Sequence, residues 1–201
     1  VTPYLRNFGI KSRSRLYEIP NNIKIIYVPP RMKLYEEYSK KVIDIYKEYI
    51  SEEDIHIYSI DEVFIDATEY LKFYNKTDIE LAKMIMKAIK DKTGITSTCG
   101  IGPNIFLAKV AMDIEAKHNK DFISKWTYND IETKLWNITP LSEIWGFGKR
   151  TEKKLNDLKI YKVKDINNYK REFYIKRFGN VSGNDIWCKA NGIDFTTIKE
   201  L

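Results

Sequence analysis

A chain of 201 residues, 43% hydrophobic and 31% charged, is long enough for one large domain or two small ones and too apolar for a disordered polymer. No apolar run approaches the length of a membrane span, and Pro3, Arg6, Asn7 and Gly9 do not read as a signal peptide. The cytoplasm is therefore the expected setting. With 34 Lys and Arg against 28 Asp and Glu, the formal charge of +6 is only weakly suggestive of nucleic acid, although its distribution says more.

Basic residues crowd the start (Arg6, Lys11, Arg13, Arg15, Lys24, Arg31 and Lys33) and the last third, from Lys149 and Arg150 to Lys176 and Arg177. Acidic residues are more prominent between them, which suits a protein that grips a polyanion and reserves carboxylates for another task.

Residues 1–33, broken by Pro3, Gly9, Pro20, Pro29 and Pro30, predict small elements and turns. A helix fits 34–50, with Leu34, Tyr38, Val42, Ile45 and Tyr49 on one face. Ile55 to Thr68 alternates as a strand or hairpin. Thr77 and Glu80 have capping-box spacing ahead of a second helix that Gly94 ends. A short strand follows over Ile95–Ile101, and Gly102-Pro103-Asn104 opens a third helix through Phe106, Leu107, Val110 and Ala111. That order predicts an α+β sandwich of one sheet with helices. Beyond residue 125 the pattern is helical and basic, as expected of a second, smaller domain.

Cys99 and Cys188 match no metal or redox spacing, and the isolated His56 and His118 do not support zinc chemistry. The chemistry sits in three other segments. In Tyr58-Ser59-Ile60-Asp61-Glu62-Val63-Phe64-Ile65-Asp66, two adjacent carboxylates interrupt an apolar strand. Their charge would be compensated by a divalent cation, for which hard oxygen ligands suit magnesium. An unbroken strand would point Asp61 and Glu62 to opposite faces, so both reach one site only if the chain turns there. A solvated hairpin end is the competing reading.

The second segment, Gly100 to Lys109, is a strand, a break and a helix start. Free N–H groups at that helix end, together with Lys109, could meet a phosphate, although the Walker pattern is lacking and an ordinary solvated lysine is the alternative. In the third, Leu141-Ser142-Glu143-Ile144-Trp145-Gly146-Phe147-Gly148-Lys149-Arg150-Thr151, continuing to Leu155 and Leu158, a Gly-hydrophobic-Gly turn joins two helical stretches. This is the helix-hairpin-helix pattern, in which glycines let backbone amides approach a DNA phosphate. A plain interhelical turn is the alternative, and the flanking Lys153 and Lys154 favour DNA.

Together the segments resemble the Y-family of lesion-bypass DNA polymerases, the group of DinB and UmuC. The resemblance covers nearly the whole chain and implies an α+β fold: a ferredoxin-like palm of mixed sheet and helices (34–124), a small fingers segment (1–33) and a helical helix-hairpin-helix thumb (125–201). It implies that Asp61 and Glu62 are catalytic and ligate two Mg2+ ions. Lys109, with Asp113 just beyond, and Arg6 of Arg6-Asn7-Phe8-Gly9-Ile10-Lys11 would hold the incoming dNTP. Gly146, Phe147, Gly148, Lys149 and Arg150 would bind primer–template DNA, with a sliding clamp as a further possible partner through regions outside this chain. Low-fidelity copying of damaged DNA is the implied activity.

The chain departs from the family at three points. The family's first metal-binding aspartate and its steric gate lie on a strand ahead of the fingers, and Val1 is already past both. Pro3 stands where a tyrosine usually precedes the fingers arginine, with Tyr4 nearby. The family's extra DNA-gripping domain would follow Leu201. On this basis the piece alone is expected to have little or no polymerase activity. Two competing readings are a non-catalytic DNA-binding module and a nucleotide cyclase with a related sheet. Gly146-Phe147-Gly148 argues against the cyclase, which has no use for a duplex backbone.

Overall fold

The computed structural model describes residues 1–10 and 14–201, so Lys11 and Arg13 of the basic N-terminal group lie outside the described residues. The chain divides into two compact units, Val1–Leu34 and Tyr35–Leu201.

In the first unit, helix α1 (Pro3–Asn7) starts at Thr2, whose Oγ1 accepts the Leu5 N–H at 3.4 Å. Gly9, at φ +79°, follows it. Tyr4 meets Phe8 edge-on, with centroids 5.1 Å apart. Farther on, a single 3-10 turn (Leu16–Glu18) is closed by the Glu18 carboxylate accepting the Arg15 N–H at 2.7 Å. These are the small elements that the prolines predict.

Helix α2 (Met32–Lys47) opens the larger fold. Its apolar face buries Ile45, while Tyr35 and Tyr38 stay exposed. Strands β1 (Ile55–Ile57) and β2 (Val63–Ile65) form an antiparallel hairpin, with Ile55 opposite Ile65 and Ile57 opposite Val63. Helix α3 (Thr68–Tyr74) follows at once, where the sequence pattern had continued a strand to Thr68. Local chemistry overrides β-propensity there, because Asp66 Oδ1 accepts both the N–H (3.0 Å) and the hydroxyl (2.6 Å) of Thr68 and turns the chain. Helix α4 (Asp78–Thr93) has the expected capping box between Thr77 and Glu80, and Gly94 ends it at φ +74°.

Strand β3 is only Cys99–Ile101, and it pairs in parallel with β4 (Ile123–Lys125) across helix α5 (Ile105–Ile114). Among the described residues there are thus two two-stranded pairings rather than the single expected sheet. The ladder cannot extend over all of Ile95–Ile101 because its partner is three residues long and follows Phe122, a non-glycine residue at φ +55°. The remaining helices are α6 (Asp130–Thr133), α7 (Lys149–Asp157), α8 (Arg171–Phe178) and α9 (Asn180–Ala190), linked by 3-10 turns.

Two apolar cores organise the larger unit. Ile45, Ile50, Leu81, Ile85 and Ile89 bury between α2, α4 and the hairpin base. At that base Tyr70 donates to Asp54 Oδ2 at 2.7 Å, and Tyr74 donates to Tyr49 O at 2.9 Å. The second core gathers Phe106, Leu107, Val110 and Ala111 of α5 with Trp126, Leu141, Ile144, Phe147, Leu155, Tyr174 and Ile186. Helix α5 therefore packs with the helical segment on the far side of residue 124. Four fully buried residues of one helix anchor it, each contributing about 1–3 kcal/mol of apolar burial.

Candidate functional site

The acidic pair lies at the tip of the β1–β2 hairpin. Both the Tyr58 and the Ser59 N–H donate to Glu62 O, at 3.0 and 3.1 Å, so the chain reverses over Ser59-Ile60-Asp61. This is the turn that adjacent carboxylates require in order to face one place. Asp61 is exposed and its Oδ1 accepts from Ser59 Oγ at 2.8 Å. Glu62 is half-buried, and its Oε1 lies 2.6 Å from Lys109 Nζ.

Lys109 is far from an ordinary surface lysine. Only 7% of it is exposed, and it also reaches Asp113 Oδ2 at 3.1 Å, one helical turn on. Burial alone would pull its pKa down, but the hydrogen bonds from Lys109 to Glu62 and Asp113 outweigh that and hold the ammonium above its ordinary value. Asp113 is shared in turn with Lys117 at 2.6 Å. A cation held between two carboxylates is a group positioned by the fold.

The amino end of α5 corrects the sequence reading. Two of its first N–H groups are already taken and not open to a phosphate: Leu107 donates to Asn104 Oδ1 at 2.8 Å, and Phe106 donates to Asp194 Oδ2 at 3.1 Å. Asn104 Nδ2 also donates to Gly192 O at 2.9 Å, pinning the segment after α9 onto this helix end. Gly100 serves packing instead, since a Cβ there would run into Ala108 O of the overlying helix. Asp194, which the sequence motifs do not single out, is therefore part of the scaffold for Lys109.

The Gly-Phe-Gly turn runs from a 3-10 turn (Leu141–Glu143) into α7, so the first arm of the helix-hairpin-helix is a single tight turn. Ser142 N–H donates to Glu152 Oε2 at 3.1 Å and locks the two arms together. Gly146 has φ +91°, and a Cβ there would collide with Lys189 Nζ. Gly148 is the N-cap of α7 with extended φ −82°, and nothing lies within 4 Å of where its Cβ would be. Lys149 and Arg150 are exposed beside it.

Phe147, expected among the DNA contacts, is instead a core residue. It is 4% exposed, and its N–H is taken by Ile144 O at 2.9 Å. An apolar ring between two glycines buries wherever a core lies beneath the turn, so it fixes the turn rather than touching a ligand. Trp145 sits half-buried at the edge of that core and meets Tyr58 and Phe64 of the acidic hairpin, with Lys189 over its ring. Neither Trp145 nor Lys189 carried a motif-level signal.

The donor set fits a hard divalent ion. Two neighbouring carboxylates on a turn suit magnesium, which takes one or two carboxylates and completes its shell with water and substrate phosphates. Among the described residues no group of three or more His, Cys, Asp or Glu converges, so an all-protein metal cage is not what this hairpin offers. His56 stacks on Phe64 at 6.5 Å, and Cys99 and Cys188 are free thiols. Burial pushes the Cys99 thiol up to about 11. Arg6 lies on α1 of the first unit.

An α+β chain with an acidic hairpin and a helix-hairpin-helix defines the class, and the comparisons define the family. Residues 1–113 match the impB/mucB/samB family and residues 128–160 match that family's helix-hairpin-helix motif. The chain belongs to the impB/mucB/samB family, the Y-family of its motifs. It is 38% identical over 193 residues to the putative UV-damage repair protein UvrX of Bacillus subtilis strain 168, covering 96% of this chain and 45% of that one. DNA polymerase IV 2 of the same organism is 32% identical over 197 residues, covering 98% and 47%. The insertion ternary complex of Dbh DNA polymerase superposes with a TM-score of 0.77 at 28% identity, over 94% of this chain and 54% of that chain. The chain thus spans about half the length of the relatives it matches. Among the described residues, no helix is long and apolar enough to cross a membrane.

Proposed function

We propose that this chain supplies the fingers (1–33), palm (34–124) and thumb (125–201) of a low-fidelity DNA polymerase that copies damaged templates. The reaction would be in-line attack of a primer 3′-hydroxyl on the α-phosphate of a dNTP, with release of pyrophosphate. The observation that carries the reading is the pairing of Glu62 with Lys109, 2.6 Å apart across 47 residues of sequence, with Asp61 next to Glu62 on the same hairpin turn.

In this reading Asp61 and Glu62 hold Mg2+, which when bound would stabilise the attacking and leaving oxygens. Lys109 neutralises the β- and γ-phosphates, exchanging a carboxylate partner for a phosphate one. Arg6 of the first unit is read as a triphosphate contact from the resemblance of its segment alone. The bare Gly148 and the first amides of α7, flanked by Lys149 and Arg150, accept a template or primer phosphate without reading sequence. Gly146 gives the turn its shape. The free, half-buried thiols suit a reducing cytoplasm.

Primer extension with magnesium on the intact protein tests the assignment. The Asp61→Ala/Glu62→Ala double variant should lose extension while holding duplex DNA as tightly as the parent at low salt. Extension that survives the double change refutes the site.

A further inference from the structure

We infer that Trp145 is a positioning residue that fixes the DNA-gripping turn to the carboxylate-bearing hairpin through Tyr58 and Phe64. The inference rests on the polymerase reading above and adds a residue to it.

Trp145 joins the two motifs by side-chain contacts. Its neighbours Ile144 and Phe147 turn into the core, at 2% and 4% exposure. Trp145 is only half-buried, packing against the edge of that core while also reaching the hairpin. Its indole Nε1 donates to the Tyr58 hydroxyl at 3.2 Å. Its ring stands at 81° to the Tyr58 ring, with centroids 5.8 Å apart, and 5.7 Å from the Phe64 ring. Tyr58 and Phe64 are themselves 5.3 Å apart, which closes a triangle of rings. Lys189 Nζ lies 5.4 Å from the indole centroid on a further side and is held there by Asp185 at 2.9 Å.

The sequence positions of these rings give the cluster its meaning. Tyr58 immediately precedes the loop with Asp61, and Phe64 lies two residues beyond Glu62 in β2, opposite His56 of β1. Trp145 immediately precedes Gly146. The edge-on Tyr58–Trp145 pair with its directed hydrogen bond resists sliding as well as separation, because the ring quadrupoles and the N–H···O line each fix an orientation. A phosphate held at Gly148 is thereby set at a defined distance from the carboxylates. Catalysis by positioning is steep in distance, and a displacement near 1 Å costs about 10²-fold in rate.

Three variants of the intact protein test this: Trp145→Ala, Trp145→Phe and Tyr58→Phe. Trp145→Ala is expected to lower kcat for single-nucleotide insertion by about 10- to 100-fold, while KM for dNTP and duplex affinity move by less than about threefold. Tyr58→Phe deletes only the hydrogen bond, whereas Trp145→Phe deletes that bond together with part of the ring surface. Tyr58→Phe should lower kcat by a few-fold factor and Trp145→Phe by at least as much, and the double variant should fall no further than Trp145→Phe alone. Multiplying effects would show that the two groups act independently and would overturn the inference.

A second readout needs no catalysis. Hydrogen exchange at the Tyr58 and Ser59 amides, both bonded to Glu62 O, should speed up about tenfold in Trp145→Ala. Unchanged exchange there overturns the inference even if the protein polymerises. A parent protein that fails to extend a primer would refute the polymerase reading instead, with the exchange result still deciding whether Trp145 steadies the hairpin. A fall in thermal stability with kcat unchanged would reduce Trp145 to packing.

Discussion

Lys109 Nζ lies 2.6 Å from Glu62 Oε1, so an almost fully buried ammonium faces the carboxylate proposed above to hold metal. With Asp113 Oδ2 at 3.1 Å on its other side, the cation is compensated twice. Lys117 also pairs with Asp113 at 2.6 Å, so the two ammonium groups and two carboxylates balance before Asp61 is counted.

Lys109→Met keeps the length and apolar stem of the side chain and deletes the charge. Glu62 and Asp113 retain about a quarter of their side-chain surface in water, at 28% and 25% exposure, so neither is left as a sealed unpaired charge. We expect a loss of only about 1–2 kcal/mol in urea unfolding. The KM for dNTP in primer extension should rise at least about tenfold, the loss of one charge-assisted phosphate contact. A large stability loss with unchanged KM would assign Lys109 to folding alone.

The two glycines of the turn should respond to substitution in opposite ways. Gly146→Ala places a side chain at φ +91° against Lys189 and should destabilise by about 1–3 kcal/mol. Gly148→Ser meets open space, has the extended backbone of an N-cap, and brings an oxygen that caps α7. Its stability should hold or rise, by up to about 1 kcal/mol, while duplex affinity falls because the hydroxyl occupies amides meant for phosphate. Thermal melts and fluorescence-anisotropy titrations at low salt read the two effects separately. Equal affinity in Gly148→Ser would mean that the amides of α7 do not hold DNA.

The sequence made the helices and the acidic turn legible through local signals. Thr77 with Glu80, Gly94 and Asn104 mark helix ends by chemistry confined to a few residues. Asp61 and Glu62 interrupt an apolar run, which is visible without any structure. The two-pair sheet was not legible, because Ile123-Ser124-Lys125 is too short to alternate and becomes a strand only by lying beside Cys99–Ile101. Nor were the partners of Lys109, Trp145 and α5. Glu62, Tyr58 and Asp194 meet them across 47, 87 and 88 residues, and no periodicity encodes a contact at that range. Phe147 was misread because its burial depends on a core assembled from α5 and the 3-10 turns.

Asp194 gives a direct measure of that long-range dependence. Asp194→Ala removes the acceptor for the Phe106 N–H and frees the segment that Asn104 pins at Gly192. A loss of about 1 kcal/mol is expected from the cap itself, and Asp194→Asn should recover most of it through its side-chain oxygen. Because α5 carries Lys109, the alanine variant should also lower insertion kcat more than it lowers duplex affinity. If stability is unchanged in both variants, the segment after α9 does not support the helix.

Glu115 at the other end of α5 makes stability depend on pH in a predictable sense. Burial pushes its carboxyl up, but hydrogen bonds from Ser124 Oγ (2.7 Å), Trp126 Nε1 (2.5 Å) and Lys134 Nζ (3.1 Å) outweigh this and hold it below its ordinary value of 4.5. With the folded pKa below the unfolded one, the unfolded chain binds more protons in that window. The contribution is therefore complete above the ordinary carboxylate range and is lost as pH falls through the folded value. Glu115→Ala would also leave the Ser124 hydroxyl and the Trp126 N–H, at 5% and 1% residue exposure, without their acceptor, at a cost of about 1–3 kcal/mol for each. Glu115→Gln keeps one acceptor oxygen, so it isolates the charge. Its melting temperature should lie below that of the parent at pH 7, and the gap should close progressively on acidification through the carboxylate range. A gap that stays constant down to pH 3 would mean that the carboxylate charge does not tie α5 to β4.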